Sequence, residues 1–72
     1  MALNIRGNTV SKLTWEQAVG AMIEGKRVRN EYFTDDEFFE MKNGKIVCEM
    51  GYPMANWYRG EPWQDKGWSV VE

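Results

Sequence analysis

The stretch "FFEMKNGKIVCEM", Phe38 to Met50, decides the fold. Two apolar runs flank Asn43-Gly44, and Asn-Gly between such runs is the strongest local cue for a hairpin closed by a two-residue type I′ turn. The implied register sets Met41 opposite Ile46, Glu40 opposite Val47 and Phe39 opposite Cys48. Phe39, Met41, Ile46, Cys48 and Met50 then share one sheet face, with Phe38, Glu40, Val47 and Glu49 on the other. A hairpin with one apolar face needs something laid across it.

The segment before it supplies the cover. In "LTWEQAVGAMIEGK", Leu13 to Lys26, Thr14 and Gln17 have the spacing of a capping box, and Leu13 is placed to staple onto Ala18. Trp15, Ala18, Val19, Met22 and Ile23 recur at the i, i+3, i+4, i+7 spacing of one apolar helix face. Gly25 fits the C-terminal cap, and Gly20 suggests a close approach of another element to the helix. After the helix, "KRVRNEYF" reads as a strand with Val28 inward and Arg27 and Arg29 on the opposite face. "TDDE", Thr34 to Glu37, has capping-box spacing and predicts a single helical turn before the hairpin.

Beyond the hairpin, "GYPMANWYRGEPWQDKG" holds both prolines and reads as a long irregular connection. "WSVVE" closes the chain as a strand with Trp68 and Val70 on one face. Residues 1–12 read as a flexible lead-in, or as an edge strand carrying Leu3, Ile5 and Val10 and turning at Gly7-Asn8. Residues 13–72 then form a single α+β domain, one helix on a small antiparallel sheet.

Composition narrows the function. With 72 residues there is one core, and a core of that size rarely supplies more than about 3–5 kcal/mol unaided. One cysteine precludes an internal disulfide, and the absence of histidine disfavours a zinc site. Self-association is the remaining support, so a homo-oligomer is expected. A net charge of −2 gives no cationic surplus for duplex nucleic acid, and is too small for a mimic of DNA. No apolar run has the length of a membrane span or a signal-peptide core, so the expectation is a protein of the cytoplasm without a membrane partner.

Catalytic readings fare poorly. There is no histidine to activate a nucleophile and no Gly-rich phosphate loop, and no cofactor is expected. Cys48 falls mid-strand on the core face, where a thiol is structural. Asp35, Asp36, Glu37 and Glu40 are explained by a helix dipole and by solvation.

Binding chemistry is better represented. Arg27, Arg29 and Arg59 carry guanidinium groups, which hold phosphate through paired hydrogen bonds and stack on rings. The competing role for Arg27 and Arg29 is pairing with Glu40 or Glu49 across the sheet. Three of the four tryptophans lie within "WYRGEPWQDKGW", Trp57 to Trp68. Trp15 reads as core, and Trp68 as at least half buried. Trp57 and Trp63 obey no periodicity. They either anchor a loop laid over the open sheet face or stack a planar ligand, with Tyr58 and Arg59 between them.

A family resemblance adds to this. In "LTWEQAVGAMIEGKRV", Trp15, Ala18, Met22, Gly25, Lys26, Arg27 and Val28 match a short helix-to-strand pattern, an aromatic follows at Tyr32 or Phe33, and "GWSVVE" matches the ending. The chain thereby resembles the Thoeris anti-defence family, small phage proteins that act as sponges for nucleotide-derived immune signals. The likeness covers two short segments; Gly67 stands where that family has an acid, and Arg29 follows Val28 without a spacer. It implies a similar fold, an oligomer, and a ligand held between subunits in the host cytoplasm. The positions carried over are Tyr32 or Phe33, and Trp68.

Two functions are therefore expected. One is a non-enzymatic phage protein that sequesters a nucleotide-like small molecule, stacking the base on Trp57, Trp63 or Phe33 and holding phosphate with Arg27, Arg29 or Arg59. The other is an inhibitor of a host protein, with Trp57, Tyr58, Arg59 and Trp63 as the contact residues.

Overall fold

A computed structural model describes residues 12–71. The readings made for the lead-in (the strand through Leu3, Ile5 and Val10 and its turn) lie outside them. Helix α1 spans Trp15–Ile23, and four strands follow: β1 (Arg27–Asn30), β2 (Phe39–Lys42), β3 (Lys45–Cys48) and β4 (Trp68–Val71). The sheet order is β3-β2-β1-β4 with every neighbour antiparallel, and α1 lies on one face. This is the α+β arrangement expected.

Local chemistry accounts for each boundary. Thr14 Oγ1 accepts from Gln17 N–H at 3.1 Å while Gln17 Oε1 accepts from Thr14 N–H at 2.9 Å, a reciprocal capping box. At the other end Lys26 N–H reaches the Ala21 carbonyl and Gly25 N–H the Met22 carbonyl, with Gly25 at φ 90°. That pair of bonds is a Schellman motif, which needs a residue tolerant of positive φ. Between β2 and β3 the chain turns on Asn43 (φ 55°) and Gly44 (φ 78°), and Lys42 pairs with Lys45.

Both sheet margins are covered by single residues. Leu13 exchanges backbone hydrogen bonds with Trp68 (2.8 and 3.1 Å) beside β4, and Pro53 bridges Val47 beside β3. Proline suits such a margin because it has no N–H to donate into a ladder. Leu13 is thus held by β4 through its backbone, while its side chain packs on the core cluster that includes Ala18.

Ala18, Met22, Val28, Phe39, Cys48 and Trp68 form the buried core between α1 and the sheet. Several expectations are corrected. Ile23 is 69% exposed, because at 100° per residue it lies round the helix from the buried stripe of Ala18 and Met22, towards solvent. Met50 is equally exposed, since Gly51 (φ 84°) turns the chain away straight after Cys48. Nothing lies within 4 Å of a methyl group built on Gly20, so no close packing explains that glycine. "TDDE", by contrast, forms the single turn its spacing implies, with Glu37 N–H bonded to the Thr34 carbonyl and Thr34 N–H to Glu37 Oε1 at 2.7 Å. The strand expected over "KRVRNEYF" ends at Asn30, where Phe33 N–H bonds back to the Asn30 carbonyl.

Among the described residues no helix is long and apolar enough to cross a membrane.

Candidate functional site

The long connection is a strap, ordered by two buried polar side chains. Gln64, in the 3₁₀ turn Pro62–Asp65, accepts from Arg59 N–H (2.9 Å) and Glu61 N–H (3.2 Å) and donates to the Trp57 carbonyl (2.9 Å). Its own carbonyl accepts the Trp68 indole N–H at 2.7 Å. Asn30, fully buried at the end of β1, donates to the carbonyls of Lys66 (3.0 Å) and Trp63 (3.3 Å) and accepts from Tyr32 N–H (3.0 Å). Buried amides persist only where their hydrogen-bonding capacity is met, and here both are used. Asn30 therefore ties the Glu31–Phe33 turn to the strap.

That tie explains how the aromatic side chains come together. Trp57 occupies the centre, with Phe33, Phe39, Trp63 and Trp68 edge to face around it at 5.0–5.9 Å and Trp15 tilted at 5.8 Å. Tyr58 stacks flat on Trp15, centroids 4.8 Å apart. Edge-to-face and offset arrangements are those that aromatic quadrupoles favour. The strap consequently packs beside α1 on the covered side of the sheet, against Phe39 and Trp68, and not over the open face.

The residues expected to bind a ligand divide into four situations. Trp68 is fully buried and presents no surface. Phe33 and Trp57 pack against the core as partly buried members of it, and Tyr58 is committed to Trp15 and, through its hydroxyl, to Asp65. Arg27 and Arg29 lie on the sheet face turned away from the aromatic cluster. Arg27 pairs with Glu40 at 3.6 Å, while Arg29 donates to the carbonyls of Phe33 (2.7 Å) and Thr34 (3.2 Å) and lies 3.8 Å from Asp35. Both arginines are thus engaged with partners other than Trp57 and Trp63. Arg29 holds the 33–34 turn in place of a phosphate.

Trp63, Tyr32 and Arg59 remain. Trp63 is 39% exposed and Tyr32 69% exposed, their rings perpendicular with centroids 5.9 Å apart. Arg59 is exposed and lines, with Asn56, Trp57, Glu61, Trp63 and Gln64, an open groove of about 380 Å³. Among the described residues Arg59 is the one cation that lines it, with the carboxylate-bearing Glu61 in the same lining.

Asn30 and Gln64 were missed by the reading of the sequence. Asn30 carried a signal: strand alternation from Val28 puts it inward, where an amide must find partners. Gln64 carried none, since its role depends on a turn that the sequence pattern does not mark.

The other reactive groups are accounted for by packing. Cys48 is buried in the core. Among the described residues no group of three or more Cys, Asp or Glu side chains is placed to hold a metal ion. No protein-family model, curated protein or solved structure matches the chain.

Proposed function

We propose that this chain is a non-catalytic binding protein that engages a partner protein through Trp63, Tyr32 and Arg59. The observation that carries the reading is the exposed perpendicular pair Tyr32–Trp63 at the rim of an aromatic cluster whose other rings are buried or half-buried. Exposing an indole costs hydrophobic free energy that burial elsewhere in the cluster recovers, and Trp, Tyr and Arg are the residues that dominate binding hot spots. Rigid backing by Trp57 and Asn30 lowers the entropy lost on contact. In line with the resemblance to phage anti-defence proteins, the partner is a host defence or regulatory protein in the cytoplasm, and the chain acts by occupying it.

A second reading, sequestration of a nucleotide-derived immune signal, is favoured by one observation: Arg59 and Trp63 line the same groove. Among the described residues Arg59 is the cation that lines the groove, and a second subunit would bring another, so a homo-oligomer is part of this reading.

Affinity capture from host lysate, with wild-type and Tyr32→Ala chains in parallel, tests the first. One stoichiometric partner lost with Tyr32→Ala supports it; equal capture by both chains removes it. A thermal-shift panel of cyclic nucleotides and ADP-ribose derivatives tests the second. A ligand at a hundredfold excess over its Kd adds about 2.7 kcal/mol of stability. A flat panel removes the sponge reading.

A further inference from the structure

The sheet face turned away from α1 is a separate surface with its own chemistry. Strand alternation puts Arg27, Arg29, Glu40, Lys42, Lys45, Val47, Ser69 and Val71 there, and the register brings Lys42 opposite Lys45 and Arg27 opposite Val71. Four of the nine Lys and Arg residues of an acidic chain thus share one side. Glu40 is the carboxylate that the strands contribute to it, and Asp35 lies 3.8 Å from Arg29 at its margin. Glu40 sits between Arg27 (3.6 Å) and Lys42 (3.8 Å) with its side chain only 20% exposed, so its charge is neutralised within the face. Arg27, Lys42 and Lys45 remain exposed, whereas Arg29 is taken by the Phe33 and Thr34 carbonyls.

The face also has a planar element. The Arg27 guanidinium lies over the Phe38 ring, 4.7 Å from its centroid, and its side chain is 56% exposed. A guanidinium braced from below by a ring presents its outer plane for stacking, and unpaired bases stack on such planes.

We propose that this face binds single-stranded nucleic acid, with a base on the Arg27 guanidinium and neighbouring phosphates on Lys42 and Lys45. Charge complementarity selects a polyanion, and the braced guanidinium selects one that carries planar rings, which an acidic peptide lacks. A flat sheet surface has no projecting helix or ribbon to enter a groove, so a duplex is a poor fit. This surface is independent of Trp63 and Tyr32, which lie with the aromatic cluster.

The test is fluorescence anisotropy of the full chain with a labelled oligo(U) strand of about ten nucleotides, within the usual site size of single-strand binders. Two phosphate contacts to a single strand give a log–log salt slope of about −1.4, and Lys42→Ala reduces its magnitude by about 0.7. Arg27→Lys keeps the charge and removes the plane, so affinity falls about tenfold while the slope is unchanged. Trp63→Ala leaves the titration unaltered. Lys42 and Lys45 are both exposed, so unchanged melting of their alanine variants is expected to exclude misfolding. Absence of binding at low salt, insensitivity to Lys42→Ala with Lys45→Ala, or equal affinity for a duplex or poly-glutamate would each overturn the proposal.

Discussion

The indole nitrogen of Trp68 donates to the Gln64 carbonyl at 2.7 Å, joining the first residue of β4 to the turn that precedes it. The same glutamine gathers Trp57, Arg59 and Glu61 through its side chain. A strap of irregular backbone is thereby tied to the core at this point, as Asn30 ties it at another.

Replacing that point tests its weight. Gln64→Leu keeps most of the volume but leaves two N–H groups and a carbonyl without partners. Each unpaired buried group costs about 1–3 kcal/mol, and water relieves part of that here, so a loss of about 2–3 kcal/mol is expected. In a chain this small that lowers Tm by roughly 10–20 °C. Differential scanning calorimetry reads it directly, and a shift below a few degrees would mean that the strap is held by its aromatic side chains alone.

Two glycines should respond in opposite directions. Gly20 lies in α1 with open space at its Cβ, so Gly20→Ala raises helix propensity by about 1 kcal/mol and stabilises the chain. Gly67 has φ 78°, and an added Cβ would meet the Glu31 carboxylate at 2.5 Å. Glu31 can swing aside; the backbone conformation cannot, and Gly67→Ala should cost about 1–2 kcal/mol. Urea denaturation of the two variants side by side measures both signs.

Tyr58 introduces a dependence on alkaline pH. Its hydrogen bond to Asp65 and the nearby carboxylate charge raise the phenol pKa above the ordinary 10.0. The folded chain then keeps this proton more tightly than the unfolded chain. The stabilisation is fully present below pH 10.0 and is lost as pH rises through the higher folded value. Stability measured across that window should fall, and Tyr58→Phe should flatten that part of the profile. An unchanged slope in the variant would assign the alkaline loss to other groups.

The architecture was legible because its signals are local. Thr14 with Gln17, Gly25 after the helix and Asn43-Gly44 between apolar runs act through neighbours in sequence, and each lies in the structure where that chemistry requires. Arg27 pairing with Glu40 was among the roles the pattern left open, and geometry selects it. The strap was not legible. Trp57 is half-buried against Phe33, Phe39 and Trp68, residues up to 24 positions earlier and 11 later, and no periodicity encodes such contacts. Whether an indole is core or contact surface depended on where Asn30 and Gln64 pinned the backbone. Hence Trp57 and Trp63, indistinguishable as letters, have different positions and different expected roles.

That difference also separates their mutations. Trp57→Ala removes the centre of the aromatic cluster and should cost about 3–5 kcal/mol, close to the whole margin of a chain this size. Circular dichroism at 25 °C should show it largely unfolded, and a cooperative, near-native melt would place Trp57 outside the core. Tyr32→Ala, whose ring touches only Trp63 within the cluster, should melt within about 0.5 kcal/mol of wild type.

The most direct measurement of the central claim is a binding titration of the captured partner protein against wild-type, Tyr32→Ala and Trp63→Ala chains, each first checked by its melt. A hot-spot residue costs at least about 2 kcal/mol, so the claim predicts a weakening of about 30-fold or more for Trp63→Ala. Tyr32→Ala should weaken binding with its stability intact. Affinities within about threefold of wild type for both variants would contradict the account, since the exposed pair would then be no contact surface at all.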